Sequence, residues 1–176
     1  MAEQSEKSLV TILIPNIKGQ LALVSKFCAD NGINILRLTL SAADGEDKIQ
    51  KIIAYLEGKR ETVNEICKKL LEVDTIIKVV NFQTNSEYIE KEICLVKILM
   101  NNPKFSSVSN TVADCNGKTI FSSANATIFA MEDNEEKVND FVSKIAKLTL
   151  DIDISRSGMV AMSVDKNVDS IIKSDL

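Results

Sequence analysis

At 176 residues the chain has room for one ordinary domain or two small ones, and 45% apolar residues suit a protein with a buried core. The net charge is −4, with 11 basic and 11 acidic side chains in residues 1–82 and 10 and 14 in residues 83–176, so neither half offers the basic surface that nucleic-acid binding needs. No apolar run approaches the roughly 20 residues of a membrane helix, and the absence of histidine removes the usual zinc sites and every His-based triad or general base.

The first element is the strand-like "SLVTILIP". A short turn with a single glycine, "NIKG", leads into a helix on which Leu21, Val24, Phe27 and Cys28 recur at helical spacing until Asn31-Gly32 stops it. "INILRLTLSAA" and "IQKIIAYLEG" read as a hairpin joined by "DGEDK". Val63, Ile66, Cys67, Leu70 and Leu71 line one face of a second helix, and "TIIKVVNF" is a closing strand.

After a polar linker the order repeats. "EKEICLVKILM" is a strand. Phe105, Val108, Val112 and Cys115 mark a helix ending at Asn116-Gly117, with Pro103 expected at its first position. "KTIFSS" and "ATIFAME" form a hairpin. A helix opens at "DNEE", acidic where the helix dipole favours it, and "LTLDIDIS" is the last strand, with Asp151 and Asp153 on one face of it. "ADNG" and "ADCNG" end the first helix of each half, a weak internal repeat of about 80 residues. Each half is therefore an α+β split βαβ unit, βαββαβ, with a four-stranded antiparallel sheet and two helices on one face. The other face needs a cover, and a homodimer is expected.

The expected boundaries are 1–82 for the first domain, 83–90 for the linker, 91–163 for the second domain and 164–176 for a polar tail. The starting stretch "MAEQSEKS" is not a secretory signal. Four cysteines without a C-x-x-C read as reduced, mostly buried thiols, and the expected location is cytoplasmic.

The glycine turn is where a ligand fits. The backbone N–H groups of Gly19, Gln20 and Leu21 stand at a helix start that favours an anion, and a carboxylate suits two or three such donors. Asn16 in the turn and Asn34, placed beside the same end of the sheet, would add amide groups that both donate and accept. Ordinary loop chemistry explains the same asparagines equally simply. The second half has no such turn, so no second site of this design is expected. "SRSG" near Arg156 reads as a solvated turn, with anion binding as the other reading, and Ile52, Tyr55 and Leu56 are either sheet core or a partner surface.

Several stretches carry a family likeness. "TILIPNIKGQLALVSKFCADNGINILRLTL" resembles the start of the small, regulatory subunit of acetolactate synthase, with Asn16, Gly19, Gln20 and Leu21 in its N-x-x-G-[AV]-L pattern and "NGINI" and "LTL" following in order. "LLEVDTIIKVVNF", "IEKEICLVKI" and "SRSGMVAMS" match later motifs of the same family, so the likeness covers roughly residues 8–163. It implies an N-terminal ACT domain and a second, ACT-like domain in a non-catalytic subunit. Such subunits activate a large catalytic subunit carrying thiamine diphosphate, Mg²⁺ and FAD. They confer feedback inhibition by a branched-chain amino acid such as valine.

The implied effector contacts are Asn16, the amides of Gly19, Gln20 and Leu21, and Asn34 with Ile35, partly from a neighbouring chain in an ACT-mediated homodimer. Three departures stand out: Gln20 replaces a small apolar residue, Leu36-Arg37 replace Glu-Ser, and Lys91 replaces Arg. A free-standing ACT-type amino-acid sensor acting on gene expression is the alternative implied by the same fold.

Overall fold

The computed structural model describes residues 6–82 and 87–164. The first sheet is built from β1 (Glu6–Pro15), β2 (Asn34–Ala42), β3 (Ile49–Gly58) and β4 (Lys78–Asn81), in the order β2-β3-β1-β4. Helices α1 (Gln20–Asp30) and α2 (Arg60–Glu72) connect them. The second sheet repeats the order with β5 (Tyr88–Leu99), β6 (Lys118–Ser122), β7 (Ala126–Asp133) and β8 (Asp153–Ser163), as β6-β7-β5-β8, with α3 (Phe105–Asp114) and α4 (Glu135–Leu148). The chain is thus a tandem of two ferredoxin-like βαββαβ units, as the sequence pattern predicts. The described residues divide into two compact units, Glu90–Val160 and the described residues on either side of it. The expected linker lies partly, and the expected tail almost wholly, outside the described residues.

Alternation sorts each strand into two faces. In the first unit Val10, Ile12 and Ile14 of β1 and Ile52, Ala54 and Leu56 of β3 meet the stripe Val63, Ile66, Cys67 and Leu70 of α2 and Val24 and Cys28 of α1. Each fully buried aliphatic side chain of this kind contributes about 1.5–3 kcal/mol. Ile52 and Leu56 are therefore core residues, and Tyr55 is only 6% exposed under a cation–π contact from Lys7 Nζ at 3.6 Å. None of the three offers a partner surface on its own. In the second unit Cys94, Val96 and Ile98 of β5 and Phe129 and Met131 of β7 pack on Val108 and Val112 of α3 and Val138, Phe141 and Ile145 of α4. The helix-free face of that sheet exposes Ile93, Leu99 and Phe121.

The repeated "NG" endings are one motif in shifted register. In α1 the left-handed residue is Gly32 (φ 71°), and Ile33 N–H donates to Cys28 O at 2.9 Å. In α3 the left-handed residue is Asn116 (φ 58°), and Gly117 N–H donates to Val112 O at 2.8 Å. Both are six-to-one helix closures. Gly117 is needed for space rather than for its φ, because a Cβ there would stand 3.0 Å from Val112 O and 3.2 Å from Ala130 O.

Three local expectations change. Pro103 is not the first residue of α3. Asn102 Oδ1 accepts from Lys104 N–H at 2.8 Å, an Asx turn that holds Pro103 outside a helix starting at Phe105. The last strand begins at Asp153, so Asp151 lies before it, where its carbonyl accepts from Asn102 Nδ2 at 3.2 Å. "SRSG" is not a turn but the middle of β8, carrying a left-handed Gly158 (φ 72°). At the other end of the unit the acidic helix opening holds: Asn134 caps α4, its side chain accepting from Lys137 N–H at 3.0 Å.

Candidate functional site

The turn between β1 and α1 is tied down on one side and open on the other. Asn16 N–H donates to Lys48 O at 2.7 Å, and Asn16 Nδ2 donates to Asp47 O at 2.8 Å. Both bonds fasten the turn to the β2–β3 hairpin loop. That loop is itself folded around Asp44, whose carboxylate accepts from the N–H groups of Lys48 and Ile49 at 3.0 and 3.1 Å. Asp47 takes a left-handed conformation at φ 58° to complete it. The sequence marks this loop only as a turn. Its role in holding Asn16 follows from the register, which sets Pro15 of β1 opposite Ile49 of β3.

Gly19 is the N-cap of α1, with φ 89° and no side-chain cap. A Cβ at Gly19 would meet nothing within 4 Å, so the space above the turn is open. The three expected backbone donors are not equivalent. Gln20 N–H makes a long bond to Ile17 O at 3.5 Å, and Leu23 N–H donates back to Gly19 O at 2.9 Å to close the first turn. The N–H groups of Gly19 and Leu21 have no carbonyl acceptor among the described residues, as expected of a helix start. Ile17 and Leu21, 59% and 37% exposed, flank the opening with apolar surface.

Gln20 does not stand over the opening. Its side chain is buried, and its Oε1 has no hydrogen-bond partner. An unsatisfied buried carbonyl of this kind costs about 1–3 kcal/mol.

Asn34 is not beside Asn16. It opens β2 opposite Glu57, near the end of β3, and its Nδ2 donates to Glu57 Oε2 at 3.1 Å. Asn16 follows Pro15, which faces Ile49 at the start of β3. Eight residues of β3 separate these points, roughly 25 Å. The cause is topological. β1 and β2 both run antiparallel to β3 and so parallel to each other, and α1 carries the chain back to the starting end. Ile35 stays with Asn34, half-buried against the first core. A single chain thus brings Asn16, Gly19, Gln20 and Leu21 together and leaves Asn34 and Ile35 at the far end.

The departures from the family pattern sit where the geometry is adaptable. Leu36 occupies a β-bulge between Ile35 and Arg37 and is 44% exposed on the edge strand. Lys91 still pairs with an acid, 3.7 Å from Asp133 Oδ1. Arg156 is turned away from anion binding by its own partner: Nε and Nη2 donate to the two carboxylate oxygens of Glu92 at 2.8 and 2.6 Å. That hydrogen-bonded carboxylate raises the Arg156 pKa further. All four cysteines are free. Burial pushes the thiols of Cys28 and Cys94 up, and that of Cys67 up to about 12, which makes them poor nucleophiles. Among the described residues, no group of three or more Cys, Asp or Glu is arranged to hold a metal ion, and no helix is long and apolar enough to cross a membrane.

Residues 91–165 match the family model described as the small subunit of acetolactate synthase. The chain is 25% identical over 154 residues to the acetolactate synthase small subunit of Buchnera aphidicola subsp. Baizongia pistaciae, covering 88% of this chain and 96% of that one. It is 23% identical over 163 residues to the small subunit of Haemophilus influenzae, covering 92% and 99%. The crystal structure of the Thermotoga maritima acetolactate synthase small subunit superposes with a TM-score of 0.75 at 23% identity, over 90% of this chain and 97% of that one. Residues 91–165 thus match the small-subunit domain of acetolactate synthase, and the chain as a whole is similar from end to end to small subunits of that enzyme and shares the tandem fold of the Thermotoga maritima one.

Proposed function

We propose that the chain is the regulatory subunit of an acetolactate synthase and contributes no catalytic group. On this reading it binds the large catalytic subunit in the cytoplasm, raises its activity, and lets a branched-chain amino acid, valine first, inhibit the complex. Thiamine diphosphate, Mg²⁺ and FAD belong to the catalytic partner.

The observation that carries the effector reading is the open turn at Gly19. Two N–H groups without carbonyl acceptors stand at a helix start, beside space that no atom fills and between exposed apolar side chains. A carboxylate suits the donors, and an aliphatic side chain suits Ile17 and Leu21.

The separation of Asn16 from Asn34 supports a site shared between two chains. β2 is the outer strand of its sheet and exposes Leu36 and Leu40. An edge of this kind invites pairing. If two copies pair through β2 about a two-fold axis, the strands run antiparallel. The start of the second β2 then falls at the hairpin end of the first, which is the end that holds Asn16 and Gly19. Each dimer would own two sites, each taking the turn from one chain and Asn34 with Ile35 from the other. Regulation then follows as linkage: the effector prefers one arrangement of the interface and the catalytic subunit another. A coupling of about 1–3 kcal/mol gives roughly 5–150-fold changes in affinity.

The test is acetolactate formation by the cognate catalytic subunit, with and without this chain, across a valine titration. Activation that valine reverses supports partner and site together. Activation without a valine response keeps the partner and moves the effector elsewhere in amino-acid space. No activation sinks the regulatory-subunit reading and favours a free-standing sensor.

A further inference from the structure

The first turn of α1 holds a polar group to which the core gives no partner. Gln20 opens the helix and shares one helical stripe with Val24 and Cys28, both of which pack in the first core. Gln20 is 8% exposed, and its Oε1 accepts no hydrogen bond. A buried carbonyl in that state forfeits the bonds that water would supply, and any donor brought to it relieves the loss. The family pattern that the turn resembles has a small apolar residue at this position, so the core does not require the bulk of a glutamine there. What the side chain adds is an acceptor, placed in the first turn of the helix that borders the open space.

Its neighbours make that acceptor relevant to a ligand. Gln20 lies between Gly19 and Leu21, whose N–H groups have no carbonyl acceptor among the described residues. A Cβ at Gly19 would meet nothing within 4 Å, so the space beside the turn can receive a side chain. Rotation about the bonds of the Gln20 side chain moves its amide from the edge of the core towards that space. In an α-amino acid the ammonium sits on the carbon that bears the carboxylate. A carboxylate held by the Gly19 and Leu21 N–H groups therefore brings an ammonium to the residue between them. An ammonium is a donor only, and its bond to a carbonyl is stronger than one between two neutral groups.

We propose that Gln20 is a specificity residue of this site: on binding, its side chain leaves the helix stripe and its Oε1 accepts from the effector's ammonium, so that the site selects an α-amino acid over the α-oxo acid of the same skeleton. The proposal rests on the effector reading of the Gly19 turn. The empty state leaves the carbonyl orphaned and the bound state pairs it, which is the differential interaction that a ligand-driven change requires. An α-oxo acid offers the same carboxylate and the same aliphatic body, but it presents an acceptor where the ammonium stands. Against that group the Gln20 carbonyl stays unpaired, the situation in which a hydrogen-bonding site rejects an analogue most strongly.

Calorimetric titration of the full chain with valine and with α-ketoisovalerate, its oxo counterpart, tests this in the wild type, Gln20→Met and Gln20→Ala. The wild type should bind valine at least about tenfold more tightly than the oxo acid. Both substitutions should weaken valine about tenfold, the loss of one charge-assisted bond, and leave the oxo acid nearly unchanged. The Gln20 side-chain NH₂ signals in NMR should move with valine and stay in place with the oxo acid. Gln20→Met removes the orphaned carbonyl at nearly constant volume, so its folded-to-unfolded ratio in urea should rise at least about fivefold. A merely structural role would shift both affinities together and leave their ratio alone. An unchanged ratio in both variants overturns the role of Gln20 and leaves the turn as the site. A loss of stability in Gln20→Met would show that the core already pairs the carbonyl and would overturn it as well. A wild-type chain that binds neither compound overturns the site reading, and this proposal with it.

Discussion

Asn16 and Asn34 stand at opposite ends of one sheet, the first bonded to the β2–β3 hairpin loop and the second to Glu57. An effector touching both must therefore bridge two chains. Mixed dimers test this directly. Asn16→Ala and Asn34→Ala should each weaken valine inhibition as homodimers while leaving activation in place. A heterodimer of the two variants then contains one site with both defects and one site with none. About half of the effector sites should recover wild-type affinity in a calorimetric titration, in keeping with isologous two-fold pairing. If each site lay within one chain, both sites of the mixed dimer would stay defective and no recovery would appear.

Gly19 is required for its conformation and not for lack of room. At φ 89°, with nothing within 4 Å of where a methyl group would stand, alanine there meets strain without a clash. Gly19→Ala should lose about 1–2 kcal/mol in urea denaturation, and Gly19→Asn less, because asparagine tolerates the left-handed region better. Equal losses for the two substitutions would show that the backbone does not need this conformation. The same pair separates structure from ligand: either side chain enters the open space above the turn, so both should weaken effector binding.

Arg156 and Glu92 form the best-defined ion pair of the second unit. The guanidinium meets both carboxylate oxygens in a fork, with Nη1 donating to Asn139 Oδ1 at 2.9 Å, and the Glu92 side chain is 2% exposed. Truncating one partner leaves a buried charge. Arg156→Ala should therefore cost about 3 kcal/mol, within the range for broken buried pairs. Arg156→Lys should be intermediate, since the charge survives and the planar fork does not. The apolar double replacement Arg156→Met with Glu92→Leu should be more stable than Arg156→Ala alone. A double variant less stable than that single one would contradict this account of where the cost arises.

These pairings also show which features a sequence makes legible. The helix α2 is readable because Val63, Ile66, Cys67 and Leu70 repeat at the helical period and every one of them is buried. "SRSG" has the composition of a turn, yet it lies in a strand because Arg156 pairs with a glutamate 64 residues away. No local pattern carries that information. The Ser157 hydroxyl completes the same tie by accepting from Ile93 N–H at 3.0 Å. Pro103 stands two residues ahead of the helix, inside a turn that the Asn102 side chain closes on the Lys104 N–H. The positions of Asn16 and Asn34 are a different case. The split βαβ order already makes β1 and β2 parallel, so their separation follows from the topology that the sequence reveals. The Gln20 side chain illustrates the limit: its burial depends on packing that composition and spacing do not encode.

Cys67 makes the fold sensitive to alkali. Burial, with the neighbouring Cys28 adding to it, raises the folded thiol to about 12, while an unfolded cysteine ionises near ~8.5. The folded state therefore holds its proton over a range where the unfolded state releases it. The resulting stability is complete below the unfolded value and is lost progressively as pH rises through the window towards the folded one. Urea denaturation at several pH values from about 8 to 11 should show falling stability, with a shallower decline in Cys67→Ala. The comparison between the two proteins cancels the titration of lysines and tyrosines common to both. Parallel declines would mean that the Cys67 thiol ionises as readily in the fold as outside it. The same burial predicts that a thiol reagent labels Cys115, which is only half-buried, well before Cys67 in the native protein.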